Sequence, residues 1–218
     1  VYLLVWGDDS GTPHERDDDN IYGQCIGADG ALLGTPFPIC AAPKQQKWPR
    51  VTAAEGTDFL VAWSDLRNTA AGGEEEEDVY GQLVTEAGTL KGTEILFATE
   101  QEHHEQINGL ASTDACFLIT YLYHTDAVSE SWDVYGRILQ ADGTLSSPFR
   151  INESCSHAWN PGAVASDGAN FLTVWNYDPN EDKDTQEWDL LARAIGCDGA
   201  PLGAEFTITA ATGDQILP

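Results

Sequence analysis

Apolar positions in this chain cluster into short blocks that recur. The runs VYLLVWGDD, DFLVAWSDLR, CFLITYLYH and NFLTVWNYD are nearly continuous hydrophobic stretches. They are followed by segments of mixed pattern: DNIYGQCIGADG, EDVYGQLVTEAG, WDVYGRILQADG and WDLLARAIGCDG. A continuous apolar run of this length predicts a strand covered on both faces, and alternation predicts a strand with one buried face. No segment carries a 3.6-residue apolar period, so helix content is expected to be close to nil.

The blocks keep a fixed spacing. Trp6, Trp63, Tyr121 and Trp175 recur at steps of 57, 58 and 54 residues, and the turn glycines Gly30, Gly88, Gly143 and Gly199 at steps of 58, 55 and 56. Such a period marks a repeat architecture, in which one unit cannot bury its own hydrophobic face. Within the second unit, residues 50–54 predict a first strand, 59–63 a second, 78–84 a third and 94–98 a fourth. The first strand of each unit is built from small residues, as in Val51-Thr52-Ala53-Ala54, and small side chains suit the crowded axis of a propeller. The large rings on the second strand then fill the wedge between neighbouring sheets. The fold predicted is all-β: a four-bladed β-propeller of about 55-residue, four-stranded repeats, with a segment of a larger propeller or array as the alternative. One domain is expected over 1–218, with repeats near 1–48, 49–107, 108–160 and 161–218.

The ends bear on closure. Gln215-Ile216-Leu217-Pro218 matches Gln46-Lys47-Trp48-Pro49, while Val1-Tyr2 stands where the second unit has Asp58-Phe59. Either the ring closes on its termini or the chain is a slice of a longer array. Val1 opens the chain and Met is absent, which predicts a processed or excised piece.

Composition narrows the partners. Asp and Glu number 36 against 10 Lys and Arg, a formal charge of −26. That field repels nucleic acid and anionic membrane, so neither is expected as a partner. It suits cations, neutral glycans or peptides, and also a surface adapted to salt. The longest apolar stretch, 115–123, is too short to span a bilayer.

The five cysteines contain no CxxC pair, which speaks against zinc and thioredoxin-type chemistry. Cys25 and Cys40 lie on successive strands of one hairpin, where a disulfide is a candidate. Cys116 and Cys197 are expected to be small buried hydrophobes.

The string FLVAWSD-R…DVYGQ-V…G-L…F-I…P-VA–G resembles a repeat of many predicted secreted or surface-anchored bacterial proteins of propeller type. The resemblance covers all the units. It implies the propeller architecture and an exported setting, with no particular activity. The fourth unit departs from it at Leu190-Leu191-Ala192, and the third has Tyr123 where an Asp is expected.

The loops between second and third strands, 8–20, 65–78, 124–133 and 178–189, are long and acidic, and share one face of the repeats with the loops linking one unit to the next. Long loops on a rigid frame carry function. Trp48 and Trp159 are candidate stacking platforms there, with His104 and His157 as polar neighbours; each Trp also suits packing between blades. Asp178, Asn180, Asp182 and Asp184, with Asp189 twelfth in the run, offer oxygens at calcium-loop spacing, although Lys183 stands where such loops want Gly. A solvated acidic hairpin is the plainer alternative. Paired acids at the loop bases, such as Asp65 with Asp78, suit either a metal or strand capping. Asn152-Glu153-Ser154 is a lone glycosylation sequon.

No GxSxG elbow, HExxH or phosphate-binding glycine loop occurs. The function expected is therefore a non-enzymatic, secreted or surface-displayed binding module for carbohydrate or peptide, with calcium as a stabilising ion. The alternatives are a glycan-cleaving enzyme using loop carboxylates and a purely structural repeat segment.

Overall fold

The structure is a computed structural model describing residues 1–9, 19–53, 58–70, 76–99, 105–124, 132–153, 162–178, 188–209, 211, 213 and 215. Among the described residues there is no helix. Among the described residues the strands assemble into one three-stranded and three four-stranded sheets, each built from consecutive, antiparallel strands. The first sheet contains β1 (Tyr2–Asp8), β2 (Asn20–Ile26) and β3 (Leu32–Cys40). The second contains β4 (Gln46–Ala53), β5 (Phe59–Asp65), β6 (Asp78–Val84) and β7 (Leu90–Ala98). The third runs through β8 (Glu105–Ser112), β9 (Cys116–His124), β10 (Trp132–Gln140) and β11 (Phe149–Arg150). The fourth holds β12 (Val164–Ser166), β13 (Phe171–Tyr177), β14 (Asp189–Ile195) and β15 (Phe206–Thr209). By packing, the chain divides into two compact units, Val1–Glu105 and Gln106–Pro218.

Within Val1–Glu105 the core forms where two sheets meet. Cross-strand pairing puts Leu3 opposite Cys25 and Val5 opposite Gly23, so these residues share one face of the first sheet. The second sheet meets that face with Phe59, Val61, Trp63 and Val84. Trp63 is fully buried, as expected of a ring that fills the space between sheets. Within Gln106–Pro218 the arrangement recurs: Leu118, Val134 and Ile138 of the third sheet meet Phe171, Trp175, Leu191 and Ile195 of the fourth.

The turns between third and fourth strands lock these packings. A Cβ added at Gly88 would stand 2.9 Å from the Phe37 ring, and one at Gly199 would stand 2.8 Å from Phe149. Both glycines have positive φ, 75° and 80°, so the backbone and the neighbouring ring each demand glycine.

A bulge recurs between third and fourth strands. Register shifts fall between Gly23 and Cys25 and between Gly81 and Leu83, opposite Gly34 and Gly92 at positive φ. The side chain at the skipped position repairs the lost pairing. Gln24 Nε2 donates to the Leu33 carbonyl at 2.9 Å, and Gln82 Nε2 to Lys91 at 2.8 Å. At the equivalent places Arg137 Nε donates to Ser146 at 2.8 Å, and Arg193 Nε to Gly203 at 3.1 Å. An unmet buried carbonyl is expensive, which is why a long donor stands at this position in every repeat.

The cysteine expectation is corrected. Cys116 and Cys197 form a disulfide with Cα atoms 6.0 Å apart, tying the start of β9 to the turn after β14. Cys25 and Cys40 are free and buried. Their strands are adjacent, but Cys25 pairs with Leu33 and Cys40 with Ile21, which separates them by several residues along the ladder. Cys155 lies outside the described residues.

Candidate functional site

In each hairpin of second and third strands, the strand ends set two residues opposite each other at the loop mouth. The pairs are Asp8 with Asn20, Asp65 with Asp78, Tyr123 with Asp133 and Tyr177 with Asp189.

The mouth in the second sheet is the most fully developed. Asp65 is completely buried and accepts from four donors. Trp63 Nε1 reaches its Oδ2 at 2.8 Å, the Arg67 amide and Nε reach its Oδ1, each at 2.9 Å, and Arg67 Nη2 reaches its Oδ2 at 2.6 Å. Arg67 Nη1 also binds Glu94 at 2.6 Å, and the guanidinium lies 4.1 Å from the centroid of Tyr80. Burial alone would lower the Arg67 guanidinium; hydrogen bonds to Asp65 and Glu94 more than reverse this and hold it charged. The Cys40 thiol, 3.2 Å from Arg67 Nη2, is pushed up to about 12 by burial. Asp78 accepts from Asn68 Nδ2 at 2.6 Å. Burial pushes its carboxyl upward, and the nearby carboxylates of Asp65 and Glu76 add to the shift while Asn68 opposes it.

Beside this mouth the β4–β5 ladder carries another bulge, with Trp48 and Pro49 inserted between the pairs Lys47–Ser64 and Arg50–Ala62. Trp48 takes φ of 51° and stays 44% exposed. A large non-glycine residue in that conformation costs on the order of 1–3 kcal/mol and is found where the surroundings enforce it. Lys47 Nζ sits 5.6 Å from the centre of the indole and 3.6 Å from the Glu77 carboxylate.

In Gln106–Pro218 the mouths are different. The third sheet presents aromatic groups: Tyr123 and Tyr135 rings at 5.1 Å, and His124 and Trp132 rings at 4.7 Å. Asp133 there accepts from Asn152 Nδ2 and Arg150 Nη2, each at 2.8 Å. Asn152 is only 2% exposed and its Oδ1 accepts from the Val134 amide, so the sequon asparagine is a core residue. In the fourth sheet Asn176 Nδ2 donates to the Gln215 carbonyl at 2.8 Å.

Of the residues singled out from sequence, Trp48 stands as an exposed ring at a loop mouth. Asp178 is buried directly after β13, and Asp189 pairs with Tyr177 at the same mouth. His104, His157, Trp159, Asn180, Asp182 and Asp184 lie outside the described residues. Among the described residues no group of three or more His, Cys, Asp or Glu could hold a metal ion. Sequence reasoning missed Arg67, Glu94 and the Tyr123–His124–Trp132 cluster. The D-x-R spacing of Asp65 and Arg67 was the available signal for the first. The departure from Asp at Tyr123 was the signal for an aromatic mouth in the third sheet.

No family model matches this chain, and no curated protein matches it. Among solved structures it is similar to one described as the crystal structure of a thermostable family-43 glycoside hydrolase, with TM-score 0.51 and 12% identity over 93% of this chain and 76% of that one. The shared fold is a β-propeller. At this identity the likeness carries the fold alone. Among the described residues no helix is long and apolar enough to cross a membrane.

Proposed function

We propose that this chain is an exported, non-enzymatic binding module for neutral carbohydrate, with Trp48 as its stacking platform. The observation that carries the reading is the indole of Trp48. Its bulge keeps it 44% exposed in a strained backbone conformation, flanked by Lys47 and Glu77. A rigid ring with hydrogen-bonding groups beside it suits the apolar face and hydroxyl edge of a sugar. The half-buried Tyr123, His124 and Trp132 offer a second aromatic mouth of the same kind. Asp65, saturated by donors, is a structural acid rather than a catalytic one. The formal charge of −26 favours neutral over anionic sugars.

Export is supported by the Cys116–Cys197 disulfide, since such bonds persist in oxidising compartments. Calcium in the 178–189 loop belongs to the same proposal, with Asp178 and Asp189 as its described carboxylates; a rise in melting temperature with millimolar Ca²⁺, lost in Asp178→Asn, tests it.

A glycan-cleaving enzyme is the second reading. It is favoured by the description of the similar structure and by Asp78, whose raised carboxyl is of the kind a general acid needs. A glycan array followed by reducing-sugar assays on the hits separates the two. Binding to neutral glycans without turnover supports the module, and turnover abolished in Asp78→Asn replaces it with the enzyme. An array with no neutral glycan bound overturns both.

A further inference from the structure

Backbone strain gathers beside the exposed indole. Among the described residues only Lys44 and Trp48 combine a side chain with positive φ, 64° and 51°, a conformation that non-glycine residues keep only where the surroundings hold them in it. Midway between them stands Gln46, which is fully buried. Its Nε2 donates to the Lys44 carbonyl at 2.8 Å and lies 3.3 and 3.5 Å from the carbonyls of Ala42 and Pro43. Its Oε1 is buried without a hydrogen-bond partner among the described residues. The stretch 44–48 thus carries two strained residues and an unmet oxygen, and costs of that kind persist where function requires them.

The nest of carbonyls has a counterpart. Gln215 stands at the matching place ahead of Leu217 and Pro218, and its Nε2 likewise donates to the carbonyls of Ala211 and Gly213. There Oε1 accepts from the Ala211 amide at 3.1 Å, so both ends of the side chain are engaged. The nest belongs to the repeat, whereas the unmet oxygen is particular to Gln46.

What the nest controls follows from the ladder. Gln46 and Lys47 pair with Asp65 and Ser64, and Arg50 pairs with Ala62, so Trp48 and Pro49 together oppose Trp63. Extending the regular ladder from Arg50 would instead set Pro49 opposite Trp63, Trp48 opposite Ser64 and Lys47 opposite Asp65. That slip of one residue would relieve the φ of Trp48 and turn Gln46 and Lys47 to the other face of the sheet. Trp48 would then lie opposite the fully buried Ser64 rather than in the bulge. Pro49, with no N–H, permits a bulge without choosing its register. The choice is made upstream. A slip would pull Gln46 Nε2 out of its nest and the Gln46 amide off the Asp19 carbonyl, which it reaches at 2.8 Å.

We infer that Gln46 is the positioning residue of the Trp48 site, its side-chain amide locking β4 in the bulged register that presents the indole to ligand. Its value to binding rests on the glycan reading above; the register lock stands apart from it. A ring held in place before ligand arrives spares the complex an ordering cost.

Fluorine NMR of the chain labelled with 5-fluorotryptophan tests this, with the Trp48 resonance identified by its loss in Trp48→Phe. Gln46→Met keeps the side-chain volume without a donor. Gln46→Asn keeps the amide but falls one methylene short of the nest, and serves if the first variant fails to fold by circular dichroism. In the wild type the Trp48 resonance is expected to shift on exchange of H2O for D2O, as an exposed ring does. In each folded variant that solvent shift is expected to shrink, and affinity for the neutral glycan bound on the array is expected to fall at least about tenfold. A residue that merely stabilises the fold would lower the melting temperature and leave the Trp48 resonance in place. A wild-type resonance and solvent shift in a folded variant overturns the lock, and a moved resonance with glycan affinity unchanged overturns the positioning role. A wild-type chain that binds no neutral glycan defeats the proposed function alone, because the fluorine signal still decides the lock.

Discussion

Asp65 and Arg67 hold each other in a two-pronged ion pair, Nε to Oδ1 at 2.9 Å and Nη2 to Oδ2 at 2.6 Å, two residues apart in sequence. The carboxylate is fully buried, while the guanidinium side chain is 19% exposed and reaches on to Glu94 of β7. One arginine in a loop thereby fastens β5, β6 and β7 together at the end where the candidate ligand face lies.

Arg67→Ala strands a buried carboxylate. Removing one partner of such a pair typically costs about 3–5 kcal/mol, and the partial exposure of Arg67 puts the expected loss near the lower end. Urea unfolding of the variant measures it. Arg67→Lys is expected to lose most of that stability too, because an ammonium cannot reproduce the fork. The double variant Asp65→Asn/Arg67→Ala is expected to lose less than Arg67→Ala alone.

The Asp78 carboxyl is raised by burial in the folded state. Its folded form therefore holds the proton more tightly than the unfolded chain, where an Asp titrates near about 3.9. The stability this group adds is full below that value and is lost as pH rises through the raised folded value. Asp78→Asn, which keeps an oxygen to accept from Asn68, is expected to remove this fall. Melting curves across the acid limb for both proteins check it, and an unchanged slope in the variant would contradict the assignment.

The disulfide bridges residues 81 apart in sequence. Closing a loop of that length is worth about 4 kcal/mol through the unfolded state. Cys116→Ala/Cys197→Ala is expected to lower the melting temperature and to abolish its sensitivity to reductant. Cys25→Ala is expected to leave that sensitivity intact, and peptide mapping without reduction should recover the Cys116–Cys197 link.

The bulge-bridging side chains make a separate forecast. Gln82→Ala leaves the Lys91 carbonyl unmet and is expected to cost about 1–2 kcal/mol. Gln82→Arg is expected to cost much less, since Arg137 and Arg193 already do this work in other repeats. Equal losses in both variants on chemical denaturation would show that the carbonyl contact is not what the side chain supplies.

How far the chain could be read from its letters varied with the physics. Strand periods were legible where burial is regular: 78–84 matches β6 (Asp78–Val84). The fourth strand was expected at 94–98 but begins at Leu90, because the bulge at Gly92 breaks the alternation that marks a strand. The first strand starts at Gln46 rather than at 50, since the Trp48-Pro49 bulge hides its opening residues in the same way. The buried rings Trp63 and Trp175 were legible from their spacing. The disulfide was not: Cys116 and Cys197 belong to different repeats, and spacing within one repeat says nothing about which turns meet. The Arg67 network was hidden for a related reason, since Glu94 and Cys40 come to it from distant strands. Exposure of Trp48 could not be read either, because a tryptophan at that place suits packing between sheets equally well.

The central claim is that a neutral glycan stacks on Trp48. Tryptophan fluorescence titration of the wild type and Trp48→Ala with an oligosaccharide identified on the array tests it most directly. Saturable quenching is expected in the wild type and at least about tenfold weaker binding in the variant, roughly 1.4 kcal/mol, with the melting temperature little changed, since alanine keeps the Cβ that strains this backbone conformation. Equal affinity in the two proteins would contradict it.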